Sequence, residues 1–240
     1  MKIEIQTGED LSRLLKALLT EIVNANSYYR LVSGLASSRP THERAFQQSE
    51  VFWYLTENAL KDACLMNLCR IYDQNSKGLN LVNLLHTIKA NLHLFSEAHF
   101  RKILLGNAFV DALALEERIP KIEELERDIE TVTASEENKL VKKLMIWRNN
   151  IVAHHNAQLS LGKNQILEDN PLIETEIQLL LKHSLNIFNK YSSLYGNYTQ
   201  LPDLFILGQD DYKSLLKFIS LGLKKRDEDT SKPFNIAELI

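Results

Sequence analysis

Few residues in this chain are able to end a helix. Only 8 glycines and 5 prolines occur among 240 residues, about 3% and 2% where ordinary proteins carry about 7% and 5%. Strands joined by tight turns consume Gly, Asn and Pro, so the shortage predicts long helices with few connections and argues against an all-β sandwich. A chain of this length can bury a core without disulfides or a structural metal. With 45% hydrophobic and 25% charged residues, it is also no wholly disordered polymer. The expected fold is all-α, an antiparallel up-and-down helical bundle over residues 1–200, with 201–240 adding a C-terminal helix and a polar tail.

The formal net charge of −3 and pI of about 6.2 provide no global basic field to attract a nucleic acid. Cys64 and Cys69 lie five apart in a helical stretch, the wrong spacing for a zinc ribbon or a redox CxxC, and read as reduced thiols. The first residues, MKIEIQTGEDLSRL, carry acids where a signal peptide has an apolar run. The most apolar stretch, 51–72, is interrupted by Glu57, Lys61, Asp62 and Arg70, so no membrane span is expected and the cytoplasm is the expected compartment. No carboxylates and histidines show metal-ligand spacing. His86 and His93 read as ordinary face residues, and neither metal nor cofactor is expected.

Helical periodicity divides the chain. Leu11, Leu14, Leu15, Leu18, Ile22 and Val23 predict a helix over 10–35. Pro40 and Thr41 separate it from a long second helix over 42–74, whose Phe52, Thr56, Ala59, Ala63, Met66 and Arg70 share one stripe at 100° per residue. Helices over 81–92, 97–105 and 108–118 follow. KIEELERDIE at 121–130 reads as a helix with a solvated acidic face, or as a face for a partner. Ser135 before two acids predicts a helix over 136–157, Asn170-Pro171 predicts one to 195, and the last is expected over 211–225. The basic triplet 224–226 is followed at once by Asp227, Glu228 and Asp229, and reads as a solvated tail.

The segment LVKKLMIWRNNIVAHHNAQ, 140–158, departs from this pattern. Leu140, Leu144, Trp147 and Ile151 form a narrow stripe expected to be buried. One further turn reaches His154 and His155 on either side of its centre line, with Arg148 at its edge. Unpaired polar groups in a core cost several kcal/mol, so these groups have partners or the face opens onto a cleft. Arg148 could be a plain ion-pair partner, and the histidines could mark the end of a helix, where cations favour the dipole.

The run Arg148-Asn149-Asn150-Ile151-Val152-Ala153-His154 resembles the R-x4-6-H motif of HEPN domains, with Asn149 as the polar residue after the arginine. The runs Phe52 to Leu60 and Leu68 to Asp73 are similar to the AbiU-like abortive-infection branch of those proteins. The resemblance covers about 11–198. It implies a metal-independent ribonuclease, the toxin of a toxin–antitoxin or phage-defence system, acting as a homodimer on RNA and opposed by a cognate antitoxin protein. Arg148 and His154 would then be the catalytic pair and Asn149 would help orient them. The alternative is a non-catalytic HEPN module that binds a protein or a nucleotide.

On one straight helix Arg148 and His154 stand about 9 Å apart along the axis and about 120° around it. A second protomer could complete the site, or a helix ending near Val152 could re-aim His154. His155 shares the face of Arg148 better and is the second candidate for the imidazole role. Arg70 and Asp73, three residues apart and close enough to pair, read either as outer residues that orient Arg148 or bind RNA, or as an internal ion pair.

Overall fold

A computed structural model describes residues 1–114, 118–152, 157, 161–162, 165–196 and 210–230. Among them the chain is all-α. The helices are α1 (Gly8–Ser38), α2 (Glu43–Gln47), α3 (Glu50–Ile71), α4 (Leu81–Ala90), α5 (Glu97–Ile103), α6 (Val110–Ala114), α7 (Ile122–Val132), α8 (Lys139–Trp147), α9 (Ile166–Asp169), α10 (Glu174–Gly196) and α11 (Asp211–Thr230). A 3-10 turn covers Leu92–Phe95, and a π-helical turn covers Arg148–Val152.

The chain forms two compact units, residues 1–26 with 63–205 and residues 27–62 with 206–240. In the first, Leu11, Leu15, Leu18 and Ile22 of α1 are buried, as their spacing predicts. They share the core with Leu68 and Ile71 of α3, Leu84 and Leu85 of α4, Leu125 of α7, Leu144 of α8 and Leu185 and Phe188 of α10. Thr7 caps α1: its N–H donates to Asp10 Oδ2 at 2.9 Å, and its hydroxyl oxygen accepts from the Asp10 N–H at 3.2 Å. The Tyr195 hydroxyl near the end of α10 donates to the Gly8 carbonyl at 2.5 Å, so α10 closes back onto the start of α1.

Three acids of α7 meet lysines of other helices. Glu126 pairs with Lys89 of α4 at 2.5 Å, Glu124 and Asp128 hold Lys190 of α10 at 3.1 and 2.7 Å, and the Tyr191 hydroxyl donates to Asp128 at 2.7 Å. Glu123, Glu126 and Glu130 are exposed and Asp128 is half-buried, so the acidic face is solvated on one side and seamed to α10 on the other.

The second unit has its own core of Leu35, Ala45, Phe46, Trp53 and Leu216, against which Leu31, Leu60, Tyr212 and Ile219 pack. Its geometry explains why the expected helix over 42–74 breaks in two. On one straight helix, Phe46 and Trp53 would stand about 10 Å apart along the axis. The break at Gln48 and Ser49 lets their rings meet at 4.9 Å, and the Trp53 indole N–H donates to the Ala45 carbonyl at 3.3 Å. Gly34 of α1 admits Tyr212 of α11: a Cβ there would stand 2.5 Å from the tyrosine hydroxyl.

The stripe expected to face inward on α3 faces outward. Phe52 is 56% and Met66 41% exposed, while Trp53, Cys64, Leu68 and Ile71 are buried. Apolar residues surround α3 almost evenly, so periodicity offers two competing faces and packing selects between them. Two starts also move. α8 begins at Lys139, capped by Asn138 instead of Ser135, and α10 begins at Glu174, where the Glu176 carboxylate accepts the Ile173 N–H at 3.0 Å. Asn170 serves otherwise, its carbonyl accepting the Trp147 indole N–H at 2.8 Å.

Candidate active site

The site is built where α3 ends. Tyr72, fully buried, donates its hydroxyl proton to the Leu180 carbonyl at 2.8 Å and stands 3.1 Å from His183 Nδ1. With its one proton committed, the tyrosine oxygen accepts from His183 Nδ1–H, and Nε2 stands 3.1 Å from the hydroxyl of Thr131, whose own proton goes to the Asp128 carbonyl at 2.8 Å. Burial pushes the His183 pKa down, with Asp128 pulling the other way. This chain ties the end of α3 to α7 and α10.

Asp73 follows. Its Oδ1 accepts the Asn75 N–H at 3.2 Å, and its Oδ2 accepts from Arg148 Nη2, also at 3.2 Å. The loop after it is held by asparagines. The Asn83 amide donates to the Asn75 and Gly78 carbonyls at 2.8 and 2.7 Å, and Asn80 Oδ1 caps α4 by accepting the Asn83 N–H at 2.8 Å. The carboxylate that receives Arg148 is therefore fixed in place.

Arg148 arrives from α8, whose Val141, Leu144 and Met145 are buried. This differs from the expected stripe of Leu140, Leu144, Trp147 and Ile151, for Ile151 is 38% exposed. α-Helical winding stops at Trp147, and Arg148–Val152 wind as a π-helix, which turns more slowly per residue and carries Ile151 off the packed face. The Asn150 amide donates to the Ile146 carbonyl at 2.8 Å, competing for the acceptor that an α-turn uses there. The chain is therefore not straight α-helix over Arg148–Val152. Lys143 pairs with Glu176 at 2.5 Å, anchoring α8 to α10. Burial pushes the Glu176 carboxyl up, but Lys143 and the Ile173 N–H outweigh it and hold the pKa below its ordinary value.

The guanidinium is partly covered, the Arg148 side chain being 32% exposed against 20% for Asp73. Nη1 donates to Asn149 Oδ1 at 2.9 Å and Nη2 to Asp73. An arginine has five N–H donors; among the described residues these two acceptors use two, and the rest remain for an anion. Cys69 lies close enough to feel both charges, yet burial dominates and pushes its thiol up to about 12. Cys64 is likewise pushed up to about 12 by burial, so neither is a ready nucleophile.

The expected Arg70–Asp73 pair does not form. Arg70 turns to Glu21 at 3.5 Å and to the Met66 sulfur at 3.5 Å, with its side chain 58% exposed. Asp73 instead meets an arginine 75 residues away, a partnership no local spacing announces. His154 and His155 lie outside the described residues. Sequence reasoning missed His183, whose only signal was an isolated histidine in an apolar helix. Among the described residues no group of three or more His, Cys, Asp or Glu stands together as a metal site, and no helix is long and apolar enough to cross a membrane.

The family model for AbiU2, a HEPN family, matches residues 8–218. The chain belongs to the AbiU2 abortive-infection branch of the HEPN proteins. No curated protein and no solved structure matches it. The match covers α1 to α10 and enters α11, so the Arg148 motif and its Asp73 partner both lie within the HEPN region.

Proposed function

We propose that this HEPN protein is a metal-independent endoribonuclease, acting as the toxin of a toxin–antitoxin or abortive-infection system. The observation that carries the reading is the seating of Arg148, held by Asp73 and Asn149 at the π-wound turn with donors to spare. π-Turns inside helices are rare and concentrate at functional sites. A guanidinium kept in one orientation is suited to grip phosphate oxygens as their charge develops.

RNA supplies the nucleophile. The 2′-oxygen attacks phosphorus while its proton passes to a base; the bond from phosphorus to the 5′-oxygen breaks, and that oxygen takes up a proton. The products are a 2′,3′-cyclic phosphate and a 5′-hydroxyl. His154 is the proposed proton carrier, an imidazole being the side chain suited to take and give a proton near neutral pH, and His155 is its alternate. Asp73 acts through Arg148 as a positioning residue. A homodimer completes the site, and a cognate antitoxin protein restrains it.

The test is cleavage of labelled single-stranded RNA by the full chain in excess EDTA. Cleavage should persist, give cyclic-phosphate ends, and be lost in folded Arg148→Ala and His154→Ala variants. Activity that vanishes with chelator and returns with Mg²⁺ overturns the mechanism. Wild-type cleavage by both variants overturns the site and leaves the binding-module reading.

A further inference from the structure

Helical phase sorts the residues of α11 into two faces. Leu216 and Leu223 are buried, and Tyr212 and Ile219 are half-buried against the second unit's core. At 100° per residue Leu221 lies directly opposite that face, Lys213, Lys217 and Lys224 form a stripe along one flank, and Phe218 and Lys225 lie on the other. Phe218 is 71% and Leu221 53% exposed. From Tyr212 to Arg226 the sequence holds five cations and no acid.

The acids that flank this stretch in the sequence offset only part of its charge in space. They sit at the two ends of the helix, and Asp227 turns to Arg44 of α2 at 2.8 Å, beside Arg226, which bonds Gln48 at 3.1 Å. Lys213 pairs with Asp210 at 2.7 Å, and Lys225 with Asp229 at 3.4 Å. Lys217 and Lys224 have no ion pair among the described residues. Two ammonium groups without an ion pair among the described residues thus share the outer side of α11 with an exposed aromatic ring, on a helix anchored by its inner face.

We infer that this outer face of α11 binds single-stranded RNA, the lysines taking backbone phosphates and Phe218 stacking on a base. The chemistry matches sequence-tolerant single-strand recognition, which combines a cationic track with aromatic platforms. Lys213 to Lys224 spans about 16 Å, room for several successive phosphates. In a protein of net charge −3, a local track is what a polyanion could find. A membrane fits less well. An interfacial helix offers lipid its broad apolar face, and here Tyr212, Leu216, Ile219 and Leu223 already bury that face in protein. The inference rests on RNA being the substrate, and it extends that reading to a second place of contact.

The experiment is fluorescence anisotropy of the full chain with a labelled 20-nucleotide 2′-O-methyl RNA, which binds but cannot be cut. Lys217→Glu/Lys224→Glu should raise Kd at least tenfold and reduce the steepness of log Kd against log salt by about 1.4, two contacts at about 0.7 each. Phe218→Ala should raise Kd roughly 5- to 100-fold with little change in slope. Lys182→Glu on α10 should change neither. All these side chains are exposed, and circular dichroism melts should match wild type. Wild-type Kd in both the lysine and phenylalanine variants overturns the inference. So does Phe218-dependent binding to phosphatidylserine vesicles with none to RNA. If the oligonucleotide binds through α11 while natural RNA is never cut, the surface stands and the ribonuclease reading falls. If RNA is cut and the α11 variants bind normally, the reverse holds.

Discussion

Arg148 and Lys217 are both helical cations, and the molecule treats them in opposite ways. Arg148 is two-thirds covered, with Asp73 and Asn149 fixing its guanidinium. Lys217 stands exposed without an ion pair among the described residues. A charge that meets developing charge in a transition state gains from being oriented beforehand. A charge that only attracts a flexible polyanion gains nothing from fixation and keeps its side-chain entropy. One region is built for orientation and the other for attraction, so damage to each should register in different constants.

The largest effect belongs to the oriented region. His154→Ala should lower kcat by about 10²–10⁴, the usual range for a general acid or base. His155→Ala should cost much less if His154 carries the proton, and an equal loss would move the role to His155. Single-turnover cleavage with purified, folded variants reads both.

Replacing Arg148 by Lys keeps the charge and loses the planar grip, and should cost about 10²–10³ in kcat. A Lys variant that cleaves like wild type would mean that attraction alone suffices, and the contrast with Lys217 would collapse. Smaller again, Asp73→Asn should lower kcat by up to about 10², as displacement of a reacting group does, with KM nearly unchanged. Asp73→Glu should recover part of the loss. If Asp73→Asn lowers only the melting temperature, Asp73 is a structural ion-pair partner. The α11 lysines should show the opposite signature, a raised KM with kcat intact.

The smallest effect is on stability. Burial lowers the His183 pKa below its unfolded value near 6.5, so on acidification the unfolded chain takes up the proton first. Stability from this group is full above about pH 7.5 and falls as pH drops through 6.5 toward the folded pKa. His86 and His99, also lowered chiefly by burial, act in the same direction. The melting temperature should therefore drop from pH 7.5 to 5.5, and His183→Gln should flatten part of that drop. A variant with the wild-type pH dependence would show that His183 does not carry it.

Legibility in the sequence followed how uneven each helix is. The α1 face of Leu11, Leu15, Leu18 and Ile22 was readable because polar residues surround it. α7 was readable as a helix for the same reason, but whether its acids met solvent or lysines was not, since Lys89 and Lys190 come from other helices. α3 misled because apolar residues occupy every side; only Trp53 reaching Phe46 across a broken helix shows which face turned inward.

The sequence by itself determined that the chain is all-helical, because scarcity of Gly and Pro is a property of every position at once. It also determined where the chemistry would be sought, because a guanidinium and imidazoles at the edge of an apolar stripe conflict with burial wherever the helix packs. Tertiary structure decided between the two readings of Asp73, which is remote from Arg148 in the chain and meets it only in the folded molecule. It also decided which cations of α11 meet an acid: Lys225 pairs with Asp229, while Lys217 and Lys224 have no ion pair among the described residues. Charges adjacent in sequence cancel only if they share a direction, and direction is set by which face of the helix finds a core.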